Sequence, residues 1–93
     1  MAFVHNNTTV GTVRTVIANI PTGNRQNIPV YVQNNDAAAI FVGDSDVTSS
    51  GATIGWKVAA GANIQFWMNS GDVLYAISAA GTTANSVIVT YSA

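Results

Sequence analysis

Cysteine is absent from these 93 residues, and so is glutamate. No disulfide framework and no thiolate metal site is therefore open to the chain. Charge is almost as scarce. Arg14, Arg25, Lys57, Asp36, Asp44, Asp46 and Asp72 are the seven formally charged residues, 8% of the chain, against about 25% in ordinary soluble domains. Three scattered cations do not make the basic patch that nucleic acid or an anionic membrane surface requires. Leucine occurs once, as Leu74, so two of the common helix formers, Leu and Glu, are nearly or wholly missing. Long apolar runs are missing too, and no segment approaches the ~18 residues of a membrane-spanning helix. The first residues carry neither a basic region nor an apolar one, so no signal peptide is expected and synthesis in a cytoplasm is.

What is present is β-branched. Twelve Val and eight Ile are joined by ten Thr, side chains that are stiff at χ1 and suit a pleated surface. A chain of this length makes one domain with a modest core. Oligomerisation is the one supplement to that core that the composition leaves open. Ten Asn and seven Ser supply the neutral polar groups that would wet its loops.

Read along the chain, residues 1–9 are polar and aperiodic and are expected to form an N-terminal arm, with residues 10–93 as a single β-sandwich domain. Val10 to Ile20 reads as a long strand with apolar groups on both faces, ended by Pro21-Thr22-Gly23-Asn24. Ile28–Gln33 follows, with Val30 and Val32 on one face, and Pro29 marks its start or an edge. Together with Ala39–Val42 it is expected to form a hairpin. Ile54, Trp56 and Val58 alternate inward. Ile64, Phe66 and Met68 do the same, which points Trp67 away from them. Val73–Ile77 and Val87–Tyr91 complete about seven strands. Turn signals every 8–12 residues argue for an all-β antiparallel sandwich, jelly-roll or immunoglobulin-like.

No constellation for chemistry emerges. The single histidine, His5, lies in the expected arm, a poor place to hold catalytic geometry. Asp44 and Asp46 suit a turn that caps its own amides better than a calcium loop, which needs six to eight oxygens. The overlapping sequons Asn6-Asn7-Thr8 and Asn7-Thr8-Thr9 read as chance. No phosphate-cradling glycine loop occurs. The expectation is no enzyme, no metal and no cofactor. Of the aromatic residues, Trp56 is expected in the core and Trp67 as an exposed anchor.

Four blocks carry a family resemblance: Pro29-Val30-Tyr31-Val32-Gln33-Asn34, Ile40-Phe41-Val42-Gly43-Asp44-Ser45-Asp46-Val47-Thr48, Ala59-Ala60-Gly61, and Gly71-Asp72-Val73-Leu74-Tyr75-Ala76-Ile77. Over about residues 28–91 the chain resembles small β-sandwich virion proteins of tailed bacteriophages, of capsid-decoration or head-fibre type. The resemblance implies a structural viral protein located in the virion, on the outer surface of the head. Its partners would be the major capsid protein and further copies of itself, a trimer being the expected homo-oligomer, with neither nucleic acid nor membrane. Strand addition and apolar contact would then form the capsid or subunit interface, at Phe3, Val4, Val10, Val13, Val16, Ile17 and Trp67. The alternative within the same resemblance is a tail-fibre, baseplate or head-fibre module whose Trp67 and Tyr side chains stack on host-surface glycan.

Overall fold

The computed structural model describes residues 3–92, the side chains of Phe3 and Ser92 excepted. The β-branched composition is realised as eight strands: β1 (Phe3–Thr8), β2 (Thr15–Asn19), β3 (Ile28–Asn34), β4 (Ile40–Gly43), β5 (Trp56–Val58), β6 (Asn63–Met68), β7 (Val73–Ser78) and β8 (Val87–Ser92). There is no helix among the described residues. The strands form two four-stranded sheets, sheet A in the order β1-β8-β3-β6 and sheet B in the order β2-β7-β4-β5. All ladders are antiparallel. Every connection but β4–β5 crosses from one sheet to the other. This is the strand order of a jelly roll, so of the two sandwich types expected the immunoglobulin-like one is set aside.

Period-two alternation supplies the core. Strand β3 buries Ile28, Val30, Val32 and Asn34 on one face, and β7 buries Leu74, Ala76 and Ser78. Val87, Val89 and Tyr91 of β8 lie against them from sheet A, and Ile40, Val42 and Val58 from sheet B. Tyr91 crosses the sandwich. Its hydroxyl donates to the Asn19 carbonyl at 3.2 Å and accepts from the Asn19 N–H at 3.4 Å, which ties β8 to the edge strand β2.

Three expectations are corrected. First, Phe3–Thr8 is not a loose arm but the edge strand of sheet A, paired residue for residue with Val87–Ser92. Its polar sequence hides this because Val4, which packs on the core, is the one apolar residue among its described side chains. Second, the long first strand is shorter. A register shift between Val16 and Ala18 breaks β2, so that Ile17 and Ala18 are both buried, as a bulge allows. Val10 lies outside the strand, yet it is fully buried. Third, β3 and β4 are not a hairpin. They belong to opposite sheets, and the Asn35–Ala39 connection crosses the end of the sandwich.

That end is organised by Asn34. Its side chain is fully buried and its Nδ2 donates to the carbonyls of Ala38 at 2.8 Å and Val58 at 3.1 Å, with a longer 3.4 Å approach to Ala59. Its Oδ1 accepts the Asp36 N–H at 3.1 Å. The Asn34 backbone bonds Gly61 and Ala62. Gly61 takes φ +77°, which glycine adopts without the Cβ penalty. One amide side chain thus joins the β3–β4 and β5–β6 connections.

Asp36 joins a third connection to them. Its Oδ1 accepts from the Thr83 N–H at 2.9 Å and its Oδ2 from the Ala38 N–H at 3.0 Å. Hydrogen bonds from Thr83, through its side chain and then its backbone, and from Ala38 hold the carboxyl below its ordinary value. A depressed folded-state pKa contributes stability that is complete above the unfolded value of about 3.9 and is lost as pH falls through the folded value. Urea midpoints measured from about pH 5 downward should therefore fall with acid, and less steeply in Asp36→Asn. Equal slopes in the two proteins would mean that this carboxylate contributes nothing.

Candidate functional site

No three His, Cys, Asp or Glu residues come together as metal ligands among the described residues. Asp44 Oδ1 accepts the Asp46 N–H at 2.9 Å, the self-capping turn that its spacing suggests. What the fold does create is two outer sheet faces of different character.

The outer face of sheet B is apolar. Register puts Val16 beside Tyr75, Ile77 beside Phe41, and Val73 beside Asn19 on this side. Val13, ahead of β2, is 76% exposed, and Val16 is 45% exposed. Val13, Thr12 and Arg14 border Ile77 in a shallow hollow. Lys57 is a second cation of this face beside Arg14, opposite Phe41 on β5. One corner is covered by the chain itself. Val47 is buried but stands apart from the core cluster. It sits over Gly43, whose position faces outward beside Tyr75, and against Gly55. A Cβ at Gly55 would lie 2.6 Å from the Val42 carbonyl oxygen and closer still to Val47 Cγ2, so no side chain fits there. Arg14 straps this loop by donating from Nε to the Val47 carbonyl at 2.8 Å and from Nη1 to the Ser45 carbonyl at 3.1 Å.

The outer face of sheet A is polar and uncharged. Trp67 on β6 lies opposite Pro29 on β3. In the next row Gln65 and Tyr31 continue to Thr90 and His5, and in the row after that Asn63 and Gln33 continue to Ile88 and Asn7. Lys, Arg, Asp and Glu are all missing from these described positions. Trp67 is 63% and Tyr31 53% exposed.

These faces divide the residues expected at a single interface. Val13 and Val16 stand on the sheet B side, and Trp67 on the far side of sheet A, so no one flat partner covers them all. Val10 and Ile17 belong to the core and are not free to meet a partner. Val4 is half-buried against the core. The Phe3 side chain lies outside the described part of the structure.

Trp56 reverses its expectation. It keeps the inward register, opposite Val42, yet is 63% exposed because β5 is a three-residue edge strand. Nearby, Phe66, Met68 and Leu74 line a cleft of about 370 Å³ with Asp44 and Asp72 among its walls.

The apolar face of sheet B was not singled out from sequence, although a signal exists. Ile40-Phe41-Val42 and Val73-Leu74-Tyr75-Ala76-Ile77 are apolar at every position, where a strand wet on one side would alternate.

No protein-family model, curated protein or solved structure matches this chain. The class to which it can be assigned is therefore the one its topology defines, a small eight-stranded jelly roll with one apolar and one uncharged polar face.

Proposed function

We propose that this chain is a structural protein of a tailed-bacteriophage virion, a capsid decoration protein that binds the outside of the head and stabilises it. The observation that carries the reading is the apolar outer face of sheet B in a chain with almost no charge. Such a face is costly to leave in water and suited to a protein partner. The major capsid protein would cover Val13, Val16 and the neighbouring Phe41, Tyr75 and Ile77. Jelly rolls recur among viral capsid domains, a likeness of fold that agrees with this reading without fixing function.

The part played by strand addition is narrower than the sequence suggested. Phe3–Thr8 is already committed to its own sheet. What it offers is its free outer edge, to which a strand of the capsid protein or of a neighbouring copy could add. Copies repeated over a shell and touching one another, as in a trimer, would gain by multivalency.

The test is binding of the purified protein to heads that lack it. Apolar docking should weaken little between about 0.05 and about 0.5 M salt, because there are few charges to screen. The double variant Val13→Asp, Val16→Asp should stay folded, since both side chains are exposed, and should bind heads at least about 100-fold more weakly, because two carboxylates would be desolvated without partners. Steep loss of wild-type binding with salt, or undiminished binding by the double variant, would overturn the docking face.

A further inference from the structure

The polar face of sheet A carries an observation of its own, independent of where sheet B docks. Two large aromatic side chains are held out in water on a surface of amides, a hydroxyl and an imidazole, with Pro29 and Ile88 as its other apolar positions. Trp67 lies directly across from Pro29, and Tyr31 is the next outward residue of the same strand. That diagonal places the two residues about 7–8 Å apart, their Cβ atoms somewhat closer. Gln65 lies beside Tyr31, and Gln33 and Asn63 form the row beyond. Each of these amides offers two donors and an acceptor.

We propose that this face is a binding platform for an uncharged polysaccharide. The C–H faces of pyranose rings pack against indole and phenol faces, and ring hydroxyls both donate and accept, as carboxamides do. Trp67 and Tyr31 would stack on neighbouring sugar units with Pro29 between them, and Gln65, Gln33 and Asn63 would bond their hydroxyls.

Charge decides among the possible ligands. With no Lys or Arg among the described residues of this face, it has nothing to pair with a uronate, a sialic acid or a nucleic-acid phosphate. No Asp or Glu stands in the described rows of this face, and Asp44 and Asp72 share with Trp67 only the cleft at its β6 edge. A protein partner fits less well than a glycan. The buried cores of protein interfaces are more apolar than their polar rims, whereas here the amides run through the middle of the face on β3 and β6. Burial against a protein would leave them unpaired unless each met a partner.

The experiment is affinity electrophoresis of the full chain in gels containing a soluble α-glucan, a β-glucan or a galactan, with hyaluronate as the anionic polymer. The expected result is retardation by at least one neutral polymer, unchanged by salt. It should be weakened at least about tenfold by Trp67→Ala, as loss of an anchoring aromatic does, and less by Tyr31→Ala. Trp56→Ala, on an edge strand of the other sheet, should bind as wild type does. Far-ultraviolet circular dichroism verifies that the variants are folded. Failure of all three neutral polymers to retard the protein overturns the proposal, as do equal retardation of Trp67→Ala and stronger retardation by hyaluronate. If Trp67→Ala instead abolishes head binding while no glycan binds, the polar face is a protein-docking face and the platform is refuted.

Discussion

Replacing Asn34 by alanine should lower the stability of the domain by about 2–4 kcal/mol, a large fraction of the 5–15 kcal/mol typical of native domains. The substitution removes little apolar contact. Its effect comes from the groups left behind. The carbonyls of Ala38 and Val58 lose the amide donor that reaches each within 3.1 Å, and the Asp36 N–H loses its acceptor. A methyl side chain provides neither, and Asn34 is fully buried, so its own space is not open to solvent. Leaving such groups unpaired costs more than the net value of the bonds themselves. At roughly 4–8 °C per kcal/mol for a domain of this size, the melting temperature should fall by at least about 8 °C. Asn34→Asp should also be harmful, because a carboxylate accepts but does not donate to the two carbonyls. A calorimetric midpoint for Asn34→Ala within a degree or two of wild type would show that water replaces the amide and that the two connections do not depend on it.

Removing residues 1–9 should have an effect of similar size, for a different reason. Strand β1 covers one edge of β8 through six residue pairs, and Val4 rests on the core beside Tyr91. Without β1, the Val87–Tyr91 stretch becomes an edge. Its sequence, Val-Ile-Val-Thr-Tyr, is the uncharged, β-prone kind that pairs with other chains when exposed. Lost ladder bonds and newly wetted apolar surface together amount to about 2–4 kcal/mol. The truncated protein should unfold at lower urea and aggregate at concentrations where the intact chain does not. A truncated protein with an unchanged urea midpoint would mean that β1 is detachable, and would return this segment to the role of an arm that pairs with a partner. For the same reason, lost head binding on truncation says nothing about a capsid contact unless the truncated domain is shown to be folded. The Val13 and Val16 substitutions ask that question more cleanly.

The two faces divide the surface of a chain with so few charges. Hydration falls to the loops and to sheet A, whose outer surface is amide and hydroxyl in place of ion. Sheet B keeps the apolar groups and protects its edges. Strand β2 carries a bulge, and β5 is three residues long with Lys57 at its centre, both devices that discourage edge pairing. Strand β6 has neither bulge nor charge. Sheet A therefore retains regular open edges at β1 and β6.

Much of this architecture was legible in the residues. Val and Ile in excess, one Leu and no Glu dictate strands, because propensity and χ1 stiffness act locally and need no partner. The alternation in Ile28–Gln33 placed Val30 and Val32 inward, and that in Ile64–Met68 turned Trp67 outward, since the period of a strand is a property of its own backbone. Other features depend on which strand lies next to which. Periodicity assigned Trp56 to the inner side correctly, but only the three-residue edge position of β5 decides that the inner side is wet there. Val10 and Ile17 read as surface for a partner until the bulge in β2 and the packing of the first loop took them into the core. The polar strand β1 carries almost no signal of its own, because its pairing comes from backbone groups that every sequence possesses. The sequence by itself determined the class of structure and the inward or outward sense of the regular strands. Tertiary structure alone decided the jelly-roll order, the burial at the edges and the separation of an apolar from an uncharged polar face, because each of these is a relation between segments distant in the chain.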